Sequence, residues 1–172
     1  NIKQHLLPAL LQTINASYRA DFCVGYFNLR GWKNLQDQID RLNGGENSCC
    51  RLLVGMQKLP QEELRELMSI SQGGGEISNE VADRIRKRLA AEFREQLTIG
   101  TPTNEDEIAL QRLAEQITAG KVVVKLFLRH QLHAKLYLLF KNDEDLPRVG
   151  YLGSSNLTLA GLSAQGELNV DI

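Results

Sequence analysis

The chain has 172 residues, 42% hydrophobic and 24% charged, with a formal net charge of −1. That length fits one domain able to bury on the order of 70% of its unfolded surface, and the composition is ordinary for a globular protein. No apolar run approaches the roughly 20 residues of a membrane span, no secretory leader pattern stands at residue 1, and a near-neutral total does not announce a nucleic-acid partner.

Taken in chain order, Ile2, Leu6, Leu10, Ile14 and Tyr18 recur at near-helical spacing and predict a helix over 2–18, with Pro8 as its one irregularity. A short strand is expected at 21–27, after which Asn28 is placed to cap a helix running to Leu42. Asn43 to Asn47 reads as a turn and Cys49 to Met56 as a buried strand. Pro60 opens a further helix with Glu62 and Glu63 in its first turn, where carboxylates suit the helix dipole, and the Gly73–Gly75 run breaks it. Helices are expected at 78–97 and 104–118, the second capped by Thr103 or Asn104 and ended by Gly120. Strands then dominate, at 121–128, 132–140 and 148–153, before a short helix at 157–162 that Gly161 ends, and a strand from 167.

Early alternation of strands and helices followed by a run of strands predicts an α/β sandwich with a mixed central sheet. The helices within 56–119 read as an insertion between core strands, either a flap, a partner surface or a plain cover. Cys23, Cys49 and Cys50 are an odd number without metal-ligand spacing. Beside apolar strands they are expected to be buried and reduced, which fits a cytoplasmic protein.

The chemistry concentrates in Leu132-His-Ala-Lys-Leu-Tyr-Leu-Leu-Phe140. Residues i and i+2 of a strand share a face, so His133 and Lys135 are expected to project together, with Tyr137 next along. An apolar strand rarely carries an imidazole beside an ammonium, because desolvating the charged forms costs several kcal/mol unless partners repay it. Gly153-Ser-Ser-Asn156 follows another apolar strand, and Glu167 lies eleven residues beyond Asn156. Singly, each has a plain structural role: a hydrogen-bonded strand His, a snorkelling Lys, a turn. Together they suit phosphodiester chemistry. A neutral imidazole attacks phosphorus to form a phosphohistidine, and a second, protonated imidazole serves the leaving oxygen and then activates water. Lys135, the Asn156 amide and the Ser154 and Ser155 hydroxyls neutralise the non-bridging oxygens, and Glu167 orients the imidazole. This scheme needs no metal and no cofactor. A metal pair at His130 and His133 is disfavoured because three residues along a strand reverses the face.

The set His133-x-Lys135, Gly153-Ser-Ser-Asn156 and Glu167 resembles the active-site motif of the phospholipase D superfamily, and most closely its nuclease branch. That branch includes bacterial endonucleases, certain restriction endonucleases and the amino-terminal domains of some helicases. The segment Val24-Gly-Tyr-Phe-Asn-Leu-Arg-Gly-Trp32 is similar to the first strand-to-helix turn of those helicase-linked domains. The likeness covers both ends of the chain but not about 56–119. It implies a phospholipase D-like α/β/α sandwich over 1–172, metal-independent DNA cleavage, and catalytic roles for His133, Lys135, Asn156 and Glu167. Because such sites use two copies of the motif and only one is present, it also implies a homodimer that completes the site. Phe140 stands where the superfamily usually has Asp, which weakens a phospholipase reading.

Lys121, Lys125, Arg129, Lys135 and Lys141 fall in a span without a carboxylate, between Glu115 and Asp143, so the local field is expected to favour phosphates. Arg84 to Arg88 is a second basic cluster, read first as a solvated helix face. Tyr26 and Arg30 are further expected substrate contacts, and Trp32 a possible base-stacking residue. The sequence starts without Met and stops in mid-strand, so a domain excised from a longer protein is expected, with a helicase or ATPase following it. Two rival functions stand beside the nuclease: a non-catalytic nucleic-acid-binding module, and a phospholipid-acting enzyme, which lacks the basic amphipathic helix that would bring it to a membrane.

Overall fold

The computed structural model describes residues 5–56, 69–70, 73, 78–100, 103–164 and 169–171. Helix α1 (Leu6–Asn15) buries Leu6, Leu10 and Ile14 on one stripe. It starts later and ends earlier than the 2–18 periodicity suggests. Pro8 falls in the first turn, where a missing N–H has no partner to lose. The chain turns at Ala16, the Ser17 hydroxyl donates to the Thr13 carbonyl at 2.7 Å, and β1 (Ser17–Val24) begins at once.

Asn28 does cap a helix, its side chain accepting from the Gly31 N–H at 3.0 Å. That helix breaks into α2 (Leu29–Trp32) and α3 (Gln36–Ile39) rather than running to Leu42. The reason lies at Asn34, whose amide donates to the Arg30 carbonyl at 2.8 Å, taking an acceptor that a continuous helix would give to its own backbone. After β2 (Cys50–Gly55) come α4 (Asn79–Leu97) and α5 (Asn104–Thr118), close to their expected limits. Thr103 and Asp106 form a reciprocal capping box on α5. Gly120, at φ +69°, supplies the left-handed turn that stops it. The expected helix opened by Pro60 and most of the Gly73–Gly75 break lie outside the described residues.

Strands β3 (Val122–Phe127), β4 (Lys135–Lys141), β5 (Arg148–Gly153) and β6 (Asn169–Asp171) complete a six-stranded sheet of order β3-β2-β1-β4-β5-β6. The β3-β2-β1 half is parallel and the rest antiparallel, so the protein is α/β with a mixed sheet. A parallel pair needs a crossover, and α5 belongs to the one joining β2 to β3. It buries Ala109 and Leu113 in the core, so this part of 56–119 covers the sheet.

The core lies on one side of the sheet. Ala20, Phe22, Val24, Leu52, Val54, Tyr137 and Leu139 meet α1, α2, α3 and α5 there in a single cluster. The expected three layers are therefore two among the described residues. Cys49 and Cys50 are buried as expected, and burial pushes both thiols up; Cys23 is only half-buried, on the other face. No helix among the described residues is long and apolar enough to cross a membrane.

Candidate active site

The site forms where the carboxyl ends of parallel β1 and β2 meet the amino end of antiparallel β4, the kind of place where open α/β sheets hold ligands. Two glycines make the approach. A Cβ on Gly25 would lie 2.3 Å from the Leu132 carbonyl oxygen, and one on Gly55 would lie 2.6 Å from the Gly25 oxygen. Only hydrogen fits at either position, and this lets the chain before β4 fold down over the strand ends. The Gly25 N–H donates to the Ala134 carbonyl at 2.8 Å and holds it there.

Strand β4 starts at Lys135, so His133 precedes it instead of lying within a strand from 132 as expected. Hydrogen bonding to β1 begins at the pair Val24–Lys135, and the tight passage over Gly25 takes the preceding residues out of the sheet. The two side chains nevertheless line one cleft. It has a volume of about 230 Å³, and Gly25, Tyr26, Met56, Gln131, Leu132, His133, Lys135 and Asn156 line it. His133 is exposed, whereas Lys135 is half-buried and donates from Nζ to the His133 carbonyl at 2.9 Å. An ammonium has three donors, and this bond uses one.

Asn156 arrives from the other side, on the strap after β5. The strap is tied down three times. Tyr137, stacked edge-on against Phe22 at 5.0 Å, donates its hydroxyl to the Ser155 carbonyl at 2.9 Å. The Leu157 N–H donates to Tyr26 O, and the Asn28 N–H to Leu157 O, both at 3.2 Å. The Tyr26 N–H then donates to Asn156 Oδ1 at 3.1 Å. A backbone N–H can only donate, so Oδ1 is the bonded end of the amide, and among the described residues no acceptor meets its NH2 group. Burial pushes the Tyr26 hydroxyl above its ordinary range, against a lowering contact from Asn28.

Of the other expected residues, Ser154 is exposed at the strap, but Ser155 is wholly buried and faces no substrate. Arg30 does not line the cleft; its guanidinium lies against Gly100, the nearest atom 2.9 Å from where a Cβ would stand. Trp32 is wholly buried and donates to Gln116 Oε1 at 3.0 Å, so it stacks on no base. Glu167 lies outside the described residues. Gly161 ends no helix; it sits inside a π-helical turn (Ala160–Ala164), where a Cβ would lie 2.6 Å from the Asn156 oxygen.

The basic span also separates. Lys121 donates to the Asp40 carbonyl and Lys141 pairs with Asp143, so among its lysines Lys135 alone enters the cleft. Phe140 lies five residues beyond Lys135, about 17 Å along the strand. It faces the opposite side of the sheet, under the Arg19 guanidinium at 4.5 Å. A carboxylate there would not reach the cleft, so its replacement leaves the cleft intact.

Sequence reasoning missed the walls Met56, Gln131 and Leu132, and also Gln96. From the end of α4, Gln96 donates to the Gly55 carbonyl at 3.2 Å, while its own carbonyl faces the Tyr26 hydroxyl at 3.5 Å. A glycine at the end of both β1 and β2 was the available signal for the cleft. Nothing local marks Gln96, whose partner is 41 residues away. No protein-family model matches the chain, and no curated protein matches it.

Proposed function

We propose that this domain is a metal-independent phosphodiesterase that cleaves DNA through a phosphohistidine at His133, with a phospholipase D-like fold. One observation carries the reading: His133, Lys135 and Asn156 share a cleft, with the amide oxygen held by the Tyr26 N–H and the NH2 group left as the donor for an anion. Among the described residues that line it none is acidic, and Lys135 supplies a positive charge for a phosphate.

In this reading an imidazole nitrogen of His133 attacks phosphorus and the bond to the leaving ester oxygen breaks. Lys135 and Asn156 hold the non-bridging oxygens, whose charge grows in the transition state. The leaving oxygen takes its proton from a second imidazole, that of His133 in a partner copy. Water then attacks phosphorus and gives its proton to that second imidazole, and the phosphorus–nitrogen bond breaks to free His133. Glu167 orients the nucleophilic ring. The domain would act as the nuclease part of a larger helicase or restriction-type protein.

The test is cleavage of plasmid and single-stranded DNA in excess EDTA. Wild type should cut, and His133→Ala should lose at least about 10³-fold in rate while still binding DNA. DNA binding by both without cleavage by either would instead support the binding-module reading.

A further inference from the structure

The sheet has a second face that no described helix covers. Strand alternation puts Leu53, Leu136, Leu138, Phe140, Leu152 and Val170 on it, and the cross-strand pairs Leu136–Leu152 and Leu152–Val170 join them into one apolar strip. Leu152 is 47% exposed and Val170 50%, and the other four are half-buried. Half of this sheet is parallel, and parallel strands occur almost only with both faces covered. An apolar strip of this extent marks an interaction surface.

The charges around it select the occupant. Arg19, Arg51, Lys125 and Arg148 pair across strands with residues of this face, and among the described residues Asp21 is its one carboxylate. Asp21 is already held by Arg19 and Arg51. Among the described residues no carboxylate lies within ion-pair distance of Lys125 or Arg148. A second copy pressed face to face would set cations against cations, and like charges at an interface cost several kcal/mol. The shape is equally selective. A groove of about 270 Å³ runs over Leu53, Leu136 and Leu138, bounded by Arg51 and Lys125. From β2 to β4 is two strand spacings, about 10 Å, which matches the roughly 10–12 Å diameter of a helix.

We propose that this face docks an amphipathic helix of a partner protein, its apolar stripe seated in the groove and its flanking carboxylates on Arg51, Lys125 and Arg148. The inference rests on the face opposite the core and does not depend on the reading of the cleft.

Two labelled helical peptides of about 18 residues test it by fluorescence anisotropy. Both carry leucines at i, i+3, i+4 and i+7; one is flanked by Glu and the other by Lys. The Glu-flanked peptide should bind at least about tenfold tighter than the Lys-flanked one. The surface variant Lys125→Glu with Arg148→Glu should abolish or reverse that preference, and Leu138→Glu should abolish binding of both. Lys125 and Arg148 are exposed rim residues, so the charge swap remains decisive even where Leu138→Glu does not fold. Absence of binding, equal binding of the two peptides, or a preference unchanged by the charge swap would overturn the proposal. So would a dimer in sedimentation velocity that Leu138→Glu dissociates, since the occupant would then be a second copy.

Discussion

Two polar constellations in this domain look alike in composition and differ in completeness. Around Gln116 the amide is answered at both ends. Its amide accepts from Trp32 and donates to Gln36 O at 3.1 Å and to Asp40 Oδ1 at 2.6 Å, while Arg112 bridges Asp40 and Asp37. Those bonds to Asp40 and Asp37 raise the Arg112 pKa against the cost of its burial. Around Asn156 the accounting stops halfway. The oxygen is taken by Tyr26, but among the described residues nothing receives its NH2 group and no side chain holds the His133 imidazole. A buried network must be satisfied to be tolerated, so the first set is architecture. The second keeps donors in reserve beside a cleft, and they suit an anion that comes and goes.

That contrast can be broken from either side. The largest expected effect on stability is Trp32→Ala, which empties a wholly buried site and orphans Gln116. It should cost about 3–5 kcal/mol in denaturant unfolding. Asn156→Ala should do the reverse, leaving the unfolding midpoint nearly unchanged and lowering the rate of DNA cleavage by about 10²–10³-fold. A comparable loss of stability in both variants would erase the distinction. Gly25→Ala sharpens it: the added methyl must displace the Leu132 carbonyl, and His133 with it. Activity should fall on the order of 10²-fold through misplacement of the nucleophile, with the sheet still folded by circular dichroism.

The smallest effect concerns the α5 cap. Burial alone would raise the Asp106 carboxyl, but the Thr103 hydroxyl and N–H and the Lys33 ammonium outweigh it and hold it below its ordinary value. A depressed native pKa stabilises above the unfolded value, about 3.9, and that stability is lost as the pH falls through the native one. Asp106→Asn should therefore cost about 1 kcal/mol at neutral pH, and the gap to wild type should close in acid. A gap independent of pH would mean that shape, not charge, makes the cap.

Helices and strands with local signals were legible beforehand. Ser78 and Thr103 cap α4 and α5 close to where the sequence predicts them, and β5 matches its expected limits. What failed depended on side-chain partners that periodicity does not show. The helix after Asn28 breaks because Asn34 captures a carbonyl, and α5 joins the core because Gln116 meets Trp32 across 84 residues. At the site, the spacing of His133 and Lys135 anticipated that the two share a cleft, but His133 lies before the strand and not in it. Asn156 was legible, whereas Ser155 was not, because two adjacent serines give no sign of which one the Tyr137 tether buries. Arg30 looked like a substrate contact from its place in the first turn, but its long side chain reaches Gly100 instead.

The most direct measurement is to trap the covalent adduct. Wild-type protein mixed with DNA in excess EDTA and quenched in alkaline denaturant should yield a peptide spanning residues 130–135 that carries a nucleotide phosphoryl group on His133. Phosphorus–nitrogen bonds to imidazole survive base and break in acid, so brief acidification should release the adduct, and His133→Ala should form none. DNA cleavage without such an adduct, or an adduct on another residue, would contradict the account.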